Sequence, residues 1–151
     1  RYSNVYGPRQ DPHGEAGVIA IFCDRLLNED RLTIFGDGEQ TRDYVFVGDV
    51  VSANLLAADV ALEPDGGLDG VAFNVGTGVG TSVNHLADVL ERVAGTSPGR
   101  DHLPERRGEL RRSTLNADRL RARGWEPGHS LEEGLRETFR HIASERGEST
   151  A

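Results

Sequence analysis

Apolar positions along the chain change their period several times, and each change predicts an element. Tyr2, Val5 and Tyr6 are strand formers that run into Gly7-Pro8, so residues 1–6 are predicted as a strand opening into a loop over 7–16. Val18, Ile19, Ile21, Phe22, Leu26 and Leu27 recur at mostly helical spacing, which predicts a helix over 17–29. Residues 32–35 and 43–47 read as short strands, separated by the turn Gly36-Asp37-Gly38. Val50, Val51, Leu55 and Ala58 keep one helical face over 50–62, with Asp49 as the expected N-cap and Pro64-Asp65-Gly66-Gly67 as the stop. A strand over 71–75 is followed by a glycine loop over 76–80 and a helix over 83–94, capped by Thr81 or Ser82. Its apolar face is Val83, Leu86, Ala87, Leu90 and Val93. Residues 95–99 read as a linker and 100–115 as extended or irregular. Asn116 is expected to cap a short helix to Arg123, closed by Gly124. Ser130 and Glu133 fit a capping box for a last helix over 131–146, and the tail 147–151 is expected to fray.

Short strands mixed with helices predict an α/β or α+β chain. Only 2–6 and 71–75 read as core strands of a parallel sheet. Two such strands are too few for a doubly wound domain. A chain of 151 residues is otherwise long enough for one domain with a sizeable core.

Composition narrows the function classes. No run approaches the roughly 18 apolar residues of a membrane span, and the first residues carry no apolar leader pattern. A net charge of −8 argues against nucleic acid as a partner, and the expected compartment is cytoplasmic. The single Cys23 excludes an internal disulfide and a cysteine metal cluster. His13, His85, His102, His129 and His141 have no zinc-motif spacing, so no metal is expected.

Three stretches hold candidate chemistry. Gly76-x-Gly78-x-Gly80 superficially resembles a dinucleotide loop. It has Thr81 where a third small residue belongs, and no acidic residue at a second strand end, so a plain strand-to-helix turn is the favoured reading. Arg42 follows a glycine turn, where its planar fork suits an anion; pairing with Asp43 or Glu39 on the surface is the alternative. Residues 105–112 place four arginines among two glutamates, either as a diphosphate clamp or as a solvated charge run. No nucleophile elbow, phosphate-binding lysine loop or complete catalytic set is present.

Taken together, six segments resemble one family. They are 1–12 (RYSNVYGPRQDP), Gly17-Val18-Ile19, 32–45 (LTIFGDGEQTRDYV), Phe73-Asn74-Val75-Gly76, Arg106-x-Gly108-Glu109 and Gly124-Trp125-Glu126-Pro127. In this order they resemble the C-terminal half of an extended short-chain dehydrogenase/reductase, an NAD-dependent epimerase/dehydratase, with UDP-glucose 4-epimerase-like members nearest. The fold this implies is α/β. It is the C-terminal part of a Rossmann-like fold with its small α+β substrate-binding domain, the N-terminal Rossmann core missing. The whole of 1–151 is then a substrate-binding portion, with 1–6 and 71–75 as orphan sheet strands.

The resemblance also implies roles. Asn4 would contact the sugar diphosphate and Ser3 would lie near the nicotinamide. Gly17 and Val18 would open a helix facing the substrate. Thr33, Ile34 and Phe35 would line the uracil pocket, partly through backbone groups, Arg42 and Arg106 would bind the diphosphate, and Glu109 the ribose hydroxyls. Trp125 would be a packing element. The family's dinucleotide loop and its Tyr-x-x-x-Lys pair have no counterpart, since all 17 basic residues are arginine. No catalytic residue is therefore assigned. The implied function is the nucleotide-sugar-binding half of an NAD-dependent UDP-sugar 4-epimerase, inactive alone. A dehydratase, decarboxylase or reductase of the same family is one alternative, and a non-catalytic binding module or remnant another. NAD, a UDP-sugar and a second copy of the parent, dimerised outside this chain, are the expected partners.

Overall fold

The computed structural model describes residues 1–11, 17–59 and 66–147, residues 68 and 69 by their backbone alone. His13, the end of the predicted helix at 60–62, Pro64-Asp65 and the tail 148–151 lie outside the described residues.

The opening strand is β1, Asn4–Tyr6. It pairs in parallel with β4, Tyr44–Phe46, in the register Asn4 to Tyr44 and Tyr6 to Phe46. On the other side of β1's N-terminal end, Tyr2 bridges Val75 in parallel, with the Ser3 amide donating to the Val75 carbonyl at 2.9 Å. This corrects two expectations. Residues 44–46 belong beside β1 as a parallel neighbour, and 71–75 makes one bridge, at Val75, rather than a full strand. The alternation that normally marks a strand is masked at 44–46, because Tyr44, Val45 and Phe46 are all buried.

The helix α1, Val18–Leu27, buries Ile19, Phe22, Cys23 and Leu26, as its spacing predicts. β2, Leu32–Phe35, alternates: Leu32 and Ile34 are fully buried, while Thr33 and Phe35 face the other way. It pairs in parallel with β6, Arg100–Leu103, inside the stretch predicted as extended or irregular. β3, Thr41–Arg42, was not anticipated. It lies between β5, Thr81–Ser82, antiparallel, and β7, Arg112–Ser113, parallel.

The helix α2, Val47–Asp59, begins directly after β4, so Asp49 lies inside its first turn rather than at its N-cap. The reason is tertiary. The buried Asp49 carboxylate accepts hydrogen bonds from the Gly128 and His129 amides at 2.9 and 3.3 Å, and from the His129 ring Nδ1 at 2.8 Å. It fastens the chain entering the last helix to α2. A short helix, α3, spans Gly67–Gly70.

α4, Val83–Ala94, carries the predicted apolar face, and Ser82 caps it by accepting from the His85 amide. α5, Asp118–Arg121, starts one residue later than expected. Ala117 is its N-cap, while Asn116 accepts from the Asp118 amide at 2.8 Å in a side-chain turn. α6, Leu131–Glu145, has the full predicted capping box between Ser130 and Glu133.

Two cores hold these parts. The larger joins α1, β2, α4 and α6 under the rings of Tyr6, Tyr44 and Phe46. The smaller gathers Val45, Val50, Ala53, Val75, Ala117, Leu120 and Trp125, and the Trp125 indole donates to the Asp49 carbonyl at 3.2 Å. Trp125 is thus the packing element it was expected to be. Among the described residues no helix is long and apolar enough to cross a membrane.

Candidate functional site

The larger core leaves a cleft of about 710 Å³ between the C-terminal end of β1, the start of α1, one face of β2 and the loop after β6. Asn4, Gly17, Val18, Thr33, Phe35, Arg42, Arg106 and Glu109 all line it, although they come from segments spread over a hundred residues of chain. Strand alternation explains the set. Thr33 and Phe35 turn to the cleft, and Ile34 between them turns into the core with no exposed surface. The side chain of Ile34 is therefore absent from the lining. Ser3 also lies outside the cleft; its Oγ is buried and has no hydrogen-bond partner among the described residues.

Arg42 is held in place before any ligand arrives. Its Nη1 donates to the Leu110 carbonyl at 2.6 Å, and its Nη2 lies 3.3 Å from a Glu109 carboxylate oxygen. Both side chains are about one-fifth exposed, at 20% and 22%, so their charges are partly shielded from water and the pair orders both groups. Arg106 lies over the ring of Phe35, its guanidinium carbon 3.8 Å from the centroid.

Four further residues of the lining were not singled out from sequence. Arg25 reaches the cleft from the last turn of α1, and its Nη1 is anchored on the Arg31 carbonyl at 3.1 Å. Gln40 ties the glycine turn to β2 by donating to the Phe35 carbonyl at 3.0 Å. Gln10 packs its amide against Gly17, and its Oε1 is buried with no hydrogen-bond partner among the described residues. Tyr44 lies two residues beyond Arg42 and so shares its face, a signal that period-two reading would have found. Burial pushes the Tyr44 phenol up to about 12, with Arg42 opposing and Glu109 reinforcing that shift. Tyr6 is raised further, again by burial first and then by Asp49. Both rings therefore stay protonated and neutral near pH 7.

The charge of the cleft runs against that of the chain. Three arginines and one glutamate line it, in a protein of net charge −8. α1 begins at its wall with Gly17 at the N-cap, no side-chain cap and no acidic residue in the first turn, so its leading amides also favour an anion. An apolar floor, an aromatic ring and converging cations make a site for a ligand that is part ring and part polyanion.

The glycine loop over 76–80 has other employment. The Thr77 and Gly78 amides donate to the Asp43 carboxylate at 2.9 and 3.0 Å. Those donors are not free to cradle a dinucleotide pyrophosphate, and the loop joins the Val75 bridge to β5 rather than a full strand to a helix. Among the described residues no group of His, Cys, Asp and Glu could hold a metal ion.

Known proteins resemble this chain in sequence and fold. Residues 1–76 match the model of the NAD dependent epimerase/dehydratase family. A UDP-glucose 4-epimerase of Mycolicibacterium smegmatis is 50% identical over 137 residues, 90% of this chain and 42% of the relative. The crystal structure of a UDP-glucose 4-epimerase with UDP-glucose from Thermotoga maritima superposes with a TM-score of 0.88 at 47% identity, over 97% of this chain and 45% of that one. A Thermus thermophilus UDP-glucose 4-epimerase in complex with NAD gives a TM-score of 0.82 at 42% identity, over 94% and 45%. The chain thus spans less than half the length of each of these relatives, and has the α/β fold of that part of an extended short-chain dehydrogenase/reductase. It belongs to the NAD dependent epimerase/dehydratase family.

Proposed function

We propose that the cleft binds a UDP-hexose, and that this chain supplies the nucleotide-sugar-binding part of an NAD-dependent 4-epimerase. The observation that carries the reading is the convergence of Arg25, Arg42 and Arg106 on one apolar-floored cleft in an acidic chain. On this reading Arg42 and Arg106 take the diphosphate, with the α1 amides at Gly17 and Val18 beside them. Thr33 and Phe35 form the wall for the base, and Ile34 contributes backbone only. Glu109, already oriented by Arg42, accepts from ribose hydroxyls. Asn4, the first residue of β1, reaches the sugar side of the diphosphate.

Inversion at C4 needs a hydride carrier and an acid–base pair. NAD is the carrier named for the family, yet in the glycine loop over 76–80 the Thr77 and Gly78 amides are spent on Asp43 rather than on a pyrophosphate. Ser3, whose Oγ has no hydrogen-bond partner among the described residues, is this chain's candidate for a contact to NAD. The sequence has no lysine, and the two cleft tyrosines hold their protons near neutral pH. This chain's share is therefore to bind and orient the nucleotide sugar.

The test is an assay of the 151-residue chain with NAD and UDP-glucose, alongside a binding titration. Saturable binding without UDP-galactose formation is the expected result. Turnover by the chain alone would defeat the division of labour proposed here.

A further inference from the structure

Asp43 follows Arg42 and precedes Tyr44, so strand alternation turns it away from the cleft that both neighbours line. It is fully buried. Oδ1 accepts from the Thr77 amide at 2.9 Å and the Thr77 hydroxyl at 2.7 Å. Oδ2 accepts from the Gly78 amide at 3.0 Å and the Leu115 amide at 3.2 Å. The approach depends on Gly76, where an added Cβ would come within 2.5 Å of Oδ2 and 3.2 Å of the Ser3 Cβ. Successive amides and a hydroxyl around one carboxylate form the kind of nest that elsewhere receives a phosphate. Here the protein fills it with its own side chain.

The donors come from two segments that flank the strand carrying Arg42. Leu115 ends the run that passes beside β3, where the Thr41 and Asp43 amides donate to the Arg111 and Ser113 carbonyls, both at 3.0 Å. The same run begins with the arm that bears Arg106 and Glu109. Apart from the carboxylate, that arm is tied to β3 by backbone bonds and by Arg42 itself.

We propose that Asp43 is a positioning residue for the cleft. By gripping the loop at 76–78 on one side and Leu115 on the other, it fixes β3 against β7. That sets the separation between Arg42 and the Arg106–Glu109 arm. The proposal rests on reading the cleft as a nucleotide-sugar site, and it predicts that ligand affinity answers to a carboxylate that never touches the ligand. A merely structural carboxylate would alter stability and leave the order of the arm alone.

Asp43→Ala removes the carboxylate and leaves a nest sized for formate; Asp43→Asn fills the nest with a group that cannot accept from all four donors. UDP-glucose affinity by calorimetry and amide exchange over 109–115 are measured for the 151-residue chain and both variants, with and without formate. Asp43→Ala is expected to bind about tenfold more weakly and to exchange faster over 109–115. Formate should restore both properties in Asp43→Ala and neither in Asp43→Asn. Parental affinity and exchange in Asp43→Ala would overturn the proposal, as would lost affinity with the arm still protected. If Asp43→Ala does not fold, Thr77→Val removes the hydroxyl donor to Asp43 together with the acceptor of the Val79 amide. Faster exchange at Leu115 supports the proposal, and unchanged exchange refutes it. If the parent chain binds no UDP-glucose, the reading of the cleft fails on that result. Asp43 is then judged by exchange alone, and no effect of formate on Asp43→Ala overturns it.

Discussion

The guanidinium of Arg106 lies 3.8 Å from the centroid of the Phe35 ring, joining the arm after β6 to the face of β2. One contact thus links the wall assigned to the base with the arm assigned to the diphosphate. Arg106→Ala should weaken UDP-glucose binding by about 10- to 100-fold, the range for losing a charge-assisted hydrogen bond, while thermal stability changes little. Arg106→Lys keeps the charge but not the stacked plane, so it should recover only part of the loss. Calorimetric titration decides, and parental affinity in Arg106→Ala would remove the arm from the site.

Gly134 lies in α6 where the helix crosses the rings beneath the cleft. A Cβ there would collide with the Tyr6 hydroxyl and come within 3.0 Å of Tyr6 Cζ and Phe46 Cδ2. Alanine is the better helix former by about 1 kcal/mol, but overpacking a buried contact costs about 1–3 kcal/mol. Gly134→Ala should therefore destabilise the chain, by about 1–2 kcal/mol in a urea melt. A stabilised variant would show that α6 can shift at no cost.

Acid should reveal the Asp37–Arg111 pair, whose atoms meet at 2.6 and 2.7 Å. The Arg111 hydrogen bonds, then the Glu39 amide, lower the Asp37 carboxyl to about 2. A folded value below the unfolded one means that stability is fully present above the unfolded value and is lost as pH falls through the folded one. Asp101, beside Arg31, and Glu133, in its capping box, are lowered too and act in the same direction. The parent should lose stability as pH falls from about 4 to 2, and Asp37→Asn should lose less over that window. Identical acid profiles for the two proteins would contradict the pairing.

Cys23 has no exposed surface, and burial pushes its thiol up to about 12. An aromatic disulfide reagent at pH 8 should leave the folded chain unlabelled and modify it fully once urea unfolds it. Prompt labelling of folded protein would mean that α1 opens locally.

What the sequence disclosed and what it concealed divide by distance along the chain. The Ser130–Glu133 capping box and the α4 face are local patterns, read directly and present as read. Asp49 carried an equally local cap signal, but its donors lie at 128 and 129, and the helix starts two residues earlier. Asp43 gave no signal at all, since the groups that surround it are 34 to 72 residues away. Ile34 shows the reverse case. Its alternation with Thr33 and Phe35 was in plain view and already placed it in the core. Two of the three cleft arginines, Arg42 and Arg106, were legible through the resemblance. Arg25 was not, because a helical arginine in an ordinary amphipathic pattern looks like any solvated one.

The most direct test of the central claim is a titration of UDP-glucose into the 151-residue chain, with UDP as competitor and Arg42→Ala as control. Saturable binding at one site, displaced by UDP and weakened about tenfold or more by Arg42→Ala, is the predicted result. Absence of saturable binding to millimolar ligand, or binding indifferent to Arg42, would contradict the assignment of this cleft to a nucleotide sugar.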